Sequence, residues 1–119
     1  MHPLVGEWLD SAGARIRVKG LSMWPLYLDG DVVEMEPADV SAVRVGDVVV
    51  MKLDRHLRVH RLVNRGPRGL RTAGDALRLP DPWQDASSFL GRLRPPSGWR
   101  FLLDALMIIL TPLRTGFLK

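Results

Sequence analysis

"VGDVVVMKLDRHLRVHRLVN", residues 45–64, is the stretch that decides the fold. Arg44-Val45-Gly46-Asp47 is a turn signal. It feeds Val48 to Leu53, VVVMKL, the most β-rich run of the chain. Asp54-Arg55 predicts a hairpin corner, and LRVHRLVN, residues 57–64, returns as the partner strand. The same grammar extends outward in both directions. Upstream, ARIRVKG from Ala14 puts Ile16 and Val18 on one face and Arg15, Arg17 and Lys19 on the other, a strand pattern. Asp29-Gly30-Asp31 is a turn, after which Val32 to Met35 restarts a strand and residues 37–42 connect onward. The tetrapeptide GDVV occurs at both Gly30 and Gly46, which reads as two similar turn-to-strand starts rather than a duplicated domain. Downstream, residues 64–69 form a Gly/Pro turn, Leu70 to Ala73 a short strand, residues 76–88 a loop and Phe89 to Leu93 a last strand.

The ends differ from this pattern. Residues 4–12 predict a short helix with Leu4, Trp8 and Leu9 on one side. Pro95-Pro96 breaks the chain before a C-terminal helix within residues 99–113, regular over 99–110 and ended by Pro112. The expectation is one domain over residues 1–119, with a mostly β core over about 14–94 and short terminal helices.

Composition excludes several classes. There is no cysteine, so disulfides, thiolate metal sites and a cysteine nucleophile are out. Histidines at positions 2, 56 and 60 make no metal-ligand set. On a strand, His56 and His60 share a face but lie about 13 Å apart, too far for one ion. No cofactor is expected. The net charge of +4 favours an anionic partner such as membrane phosphates, nucleic acid or an acidic peptide, but weakly, because it is spread along the chain rather than blocked, and no direct nucleic-acid contact is expected. The first twenty residues lack the basic start and apolar core of a signal peptide, and no run reaches the roughly 18 apolar residues of a membrane span. The expected location is therefore cytoplasmic. FLLDALMIIL, residues 101–110, is expected to pack on the sheet. Its alternative is peripheral contact with the inner face of a membrane, with Arg100, Arg114 and Lys119 at lipid phosphates.

Three polar features stand apart from the scaffold: Ser22 in GLSMWP, His60 inside a strand, and Asp75 and Asp81 flanking a proline-containing loop. Singly, each is ordinary turn or strand chemistry. Together they supply the parts of an acyl-transfer site. A serine hydroxyl needs a positioned base to take its proton. An imidazole suits that task near neutral pH, and a carboxylate on its far nitrogen holds the tautomer. The order Ser, His, Asp and the absence of Gly-x-Ser-x-Gly set this chain apart from the α/β-hydrolases.

These residues sit in motifs that resemble a family. GLSMWP with GD shortly after is similar to the Ser-Met-x-Pro box of the signal peptidase I clan, which includes LexA-like self-cleaving repressors. VGDVVVMKL, VHRLV, TAGDALRLPD and FLGRL resemble its further boxes, in order, over roughly residues 14–94. The resemblance implies a coiled, mainly antiparallel β-architecture and a serine endopeptidase acting on a peptide or protein, in maturation or leader removal. His60 stands where many members carry a lysine, so the Ser-His branch typified by archaeal and endoplasmic-reticulum signal peptidases is the nearer likeness. It implies Ser22 as nucleophile and His60 as base, with Asp81 the better candidate to orient His60 and Asp75 supporting the site or its turn. Gly20 stands where signal peptidases often have a hydroxyl donor, which leaves the oxyanion to backbone donors such as the Ser22 N–H. Met23, Trp24 and Pro25 are candidates for substrate contact, with core packing the competing reading. A peptidase fold that only binds peptides is the alternative from another class.

Overall fold

The structure is a computed structural model that describes residues 8–10, 13–94 and 98–115. The described residues form one seven-stranded sheet: β1 (Trp8–Asp10), β2 (Gly13–Arg17), β3 (Val32–Pro37), β4 (Val48–Leu53), β5 (His56–Gly66), β6 (Gly69–Ala73) and β7 (Phe89–Leu93). Their order across the sheet is β1-β2-β3-β7-β4-β5-β6, and every pairing is antiparallel. A helix, α1 (Trp99–Thr115), follows.

The hairpin expected from residues 45–64 forms in full register, from Val48 opposite Arg61 to Leu53 opposite His56. Asp54 turns its corner at φ 34°. Four successive residues of β4 are buried because the sheet is covered on both faces. Val48 and Val50 enter a core with Ile16, Val18, Met23, Leu26, Tyr27, Met35 and Leu93. Val49 and Met51 enter a second with Val43, Leu62 and Leu70. Side chains alternate across a strand, so an unbroken apolar run needs an apolar layer on each side. Irregularities at Val50/Met51 and Leu62/Asn64 interrupt the ladders.

The two GDVV turns are built alike. Gly30 and Gly46 have φ of +93° and +108°, a region that glycine occupies without strain. In each, the aspartate that follows donates its N–H to the carbonyl three residues back, Leu28 or Arg44. Its carboxylate accepts that same residue's N–H, at 2.9 Å in both. Local sequence therefore sets both strand starts.

Both ends depart from expectation. Within residues 4–12, Trp8–Asp10 is a strand, paired with β2 from Trp8 opposite Arg15 to Asp10 opposite Gly13. So short an isolated helix is marginal, whereas pairing covers an otherwise bare edge of β2. Residues 4–7 and 11–12 of that expected helix lie outside the described residues, as do Pro95, Pro96, Lys119 and the Arg114 side chain. At the other end α1 continues through Pro112 to Thr115. Proline forfeits one backbone N–H, and Thr111 adds a bond of its own, its Oγ1 donating to the Met107 carbonyl at 2.7 Å. Leu103 packs on the first core, and Ile108 closes on the Gly46 turn. Trp99, Leu102, Leu106 and Ile109, on the outward face, are exposed. No helix among the described residues is long and apolar enough to cross a membrane.

Candidate active site

Three elements bring three distant residues together. Ser22 sits on the loop joining β2 to β3, His60 on β5, and Asp81 on the loop after β6.

The serine loop is pegged at both ends. Asp29 accepts the Gly20 N–H at 2.7 Å, and Asp31 accepts that of Leu28. Met23, Leu26 and Tyr27 anchor the loop in the first core. Met23 is only 1% exposed, so it is a core residue, which corrects the expectation of substrate contact. Trp24 is exposed and Pro25 half-buried, and neither lines the cavity beside Ser22. The floor beneath the serine is Gly74. A Cβ there would stand 2.7 Å from the Ser22 carbonyl oxygen. That carbonyl accepts the Ala76 N–H at 2.8 Å, which fastens the serine loop to the segment after β6.

The loop over residues 76–88 is rich in proline but firmly held. Leu70 and Gln84 exchange backbone hydrogen bonds, and Asp81 N–H donates to the Thr72 carbonyl at 2.7 Å. Arg68 and Arg71 stack on Trp83, and Arg71 Nε donates to the Asp81 carbonyl at 3.0 Å. The chain thus doubles back along β6 and delivers Asp81 to β5.

There the geometry is a continuous relay. His60 Nε2 lies 3.1 Å from Ser22 Oγ, and His60 Nδ1 lies 2.6 Å from Asp81 Oδ2. Thr72 Oγ1 donates to the same Oδ2 at 2.6 Å. Burial opposes the charge on Asp81, but hydrogen bonds from His60 and Thr72, aided by the charge of Arg58, hold its carboxyl below the ordinary value. An ionised carboxylate only accepts, so Nδ1 carries the proton. In the neutral imidazole Nε2 is then the acceptor, facing the serine hydroxyl. That is the arrangement in which an imidazole can take a proton from the serine.

Asp75, the other candidate, turns elsewhere. Its two oxygens accept Nε and Nη2 of Arg61, both at 2.7 Å. Arg61 is fully buried and also donates from Nη1 to the Gly46 carbonyl at 2.7 Å and to Asp104 at 3.0 Å. Despite the cost of burial, Asp75 and Asp104 hold the guanidinium firmly in its charged form. Asp75 braces the scaffold, and Asp81 alone of the two reaches His60.

A cavity of about 290 Å³ opens beside Ser22, walled by Val18, Lys19 and the strand segment from His56 to His60. β6 pairs only with β5 residues from Arg61 onward, so that segment has no β6 neighbour along its edge. Sequence reasoning missed Lys19, Arg58 and Thr72. The spacing of two from His60 was the available signal for Arg58, and the first position of TAGDALRLPD that for Thr72; nothing local marked Lys19.

Comparison with protein-family models matches residues 3–71 to the family described as Peptidase S24-like. The match covers more than half of the chain, with Ser22 and His60 inside it and Asp75 and Asp81 beyond it. No curated protein and no solved structure gives a significant match. The matched segment holds the first five strands of the sheet and two of the three residues in the relay, and the chain belongs to the Peptidase S24-like family.

Proposed function

We propose that this protein is a serine endopeptidase that cuts a specific peptide or protein, using Ser22 as nucleophile, His60 as general base and Asp81 to orient the imidazole. The observation that carries this reading is the unbroken relay, 3.1 Å from Ser22 Oγ to His60 Nε2 and 2.6 Å from His60 Nδ1 to Asp81 Oδ2. Ser22 Oγ attacks the substrate carbonyl carbon as its proton passes to Nε2. The tetrahedral intermediate collapses, the carbon–nitrogen bond breaks, and His60 gives the proton to the leaving amine. Water then attacks the ester by the same route, which frees the acid and restores Ser22. The Ser22 N–H, which has no hydrogen-bond partner among the described residues, is assigned to the oxyanion. The open edge of β5 suits an extended peptide, which can add to a sheet through main-chain bonds.

The test is cleavage of a random octapeptide library, read by mass spectrometry, together with labelling by a fluorophosphonate probe. Ser22→Ala and His60→Ala are expected to abolish both. Undiminished cleavage by Ser22→Ala overturns the mechanism. The same open edge favours a second reading, a module that binds peptides without cutting them. Peptide capture without Ser22-dependent cleavage is its signature.

A further inference from the structure

The cavity beside Ser22 is cationic. Lys19 and Arg58 line it, His56 and His60 add imidazoles, and no carboxylate among the described residues is part of the wall. Asp81 lies on the far side of the His60 ring, at Nδ1.

Arg58 is the informative residue. Its Nη1 is shut off from solvent yet makes no hydrogen bond among the described residues. The neighbouring carboxylate oxygen, Asp81 Oδ2, stands 3.7 Å away, beyond hydrogen-bond reach. That oxygen already accepts two bonds of 2.6 Å, from His60 and from Thr72. The Asp81 main-chain carbonyl is also occupied, by Arg71. A buried charged donor without an acceptor is costly, and such groups in native proteins call for an explanation. Nη1 is turned toward Asp81 at ion-pair distance, while the Arg58 side chain as a whole is 24% exposed and lines the cavity.

We infer that this cavity receives an acidic side chain, Asp or Glu, of the substrate next to the scissile bond, and that Arg58 and Lys19 are the residues that select it. The inference rests on the peptidase reading for the words "scissile bond"; the pocket's preference for a carboxylate stands on the lining alone. A carboxylate matches the planar fork of Arg58, and Lys19 supplies a second cation to the lining. The apolar flanks, Val18, Leu57 and Val59, suit the methylenes of a glutamate.

The test compares peptides identical but for Glu or Gln at one position near the cut. The wild-type protein is expected to enrich Asp and Glu at one fixed position among cleaved octapeptides. It should prefer Glu to Gln by about tenfold to a hundredfold in kcat/KM, the worth of one charge-assisted hydrogen bond. Arg58→Gln should bring that ratio close to one, and Lys19→Gln should lower it. A purely structural role for Arg58 slows both peptides alike and leaves the ratio unchanged. Cleavage with no acidic enrichment, or a ratio that neither variant moves, overturns the inference. Should the wild-type protein cut nothing, the peptidase reading fails. Immobilised Ser22→Ala then decides the pocket separately: retention of the Glu peptide over the Gln peptide, lost in Ser22→Ala/Arg58→Gln, supports it, and equal retention overturns it.

Discussion

Asp81 shows how much one residue depends on its neighbours. It receives His60 and Thr72 on one oxygen, and these bonds keep its carboxyl below the ordinary value in spite of burial. A carboxyl lowered on folding stabilises the native state above its unfolded value, near 3.9, and that contribution is lost as pH falls through the folded value. Between pH 6 and pH 2.5 the wild-type protein is therefore expected to lose more stability than Asp81→Asn, measured as urea midpoints. Parallel losses contradict the assignment. In a cleavage assay at pH 7, Asp81→Asn is expected to slow turnover by about 10⁴, since an amide can favour the wrong tautomer while leaving the shape intact. Sequence already marked Asp75 and Asp81 as the two candidates. The family resemblance favoured Asp81, but the residues themselves could not choose, because the two are six residues apart on a loop whose path depends on Trp83 stacking and on pairing with β6.

Among elements, the β4–β5 hairpin was legible and the terminal segments were not. Turn residues and a β-branched run act over a few residues, so Val48–Leu53 and the Asp54 corner follow from local chemistry. β1 exists because β2 offers an edge, a non-local fact. The segment after β6 is the element most sensitive to a small change. A methyl group on Gly74 would meet the Ser22 carbonyl oxygen at 2.7 Å and its Cβ at 3.0 Å. Gly74→Ala is thus expected to push the serine loop away from His60. A misplacement of about 1 Å costs on the order of 10²-fold in rate. The expected result is that loss in kcat with a circular dichroism spectrum like that of the wild type. Full activity in Gly74→Ala would show that the two segments are not in register.

At the scale of the molecule, Arg61 joins what would otherwise be separate parts. From β5 it reaches the Asp75 segment, the Gly46 turn and Asp104 on α1. Tyr27, buried nearby, has its hydroxyl pushed up to about 12 by burial and then by Asp104, so it stays neutral. Breaking a buried ion pair by removing one partner costs about 3–5 kcal/mol, because the remaining charge stays buried. Arg61→Met is expected to lose that much in urea denaturation, and Arg61→Met/Asp75→Asn to recover part of it. A loss below about 1 kcal/mol would mean that the cluster does not hold the sheet and helix together.

The sequence by itself determined the strands of the central hairpin, both Gly-Asp turns, the last strand and the short set of residues from which the relay is drawn. Each depends on chemistry within a few residues: φ > 0 at glycine, side-chain bonds to neighbouring N–H groups, alternation of apolar side chains. Only the tertiary structure decided that Asp81 rather than Asp75 meets His60, that Met23 belongs to the core, and that Arg58 lines the cavity 3.7 Å from Asp81. Those outcomes depend on where a loop lands and what packs over it. Contacts spanning 21 residues from His60 to Asp81 and 38 from Ser22 to His60 are set by the whole sheet, not by any window along the chain.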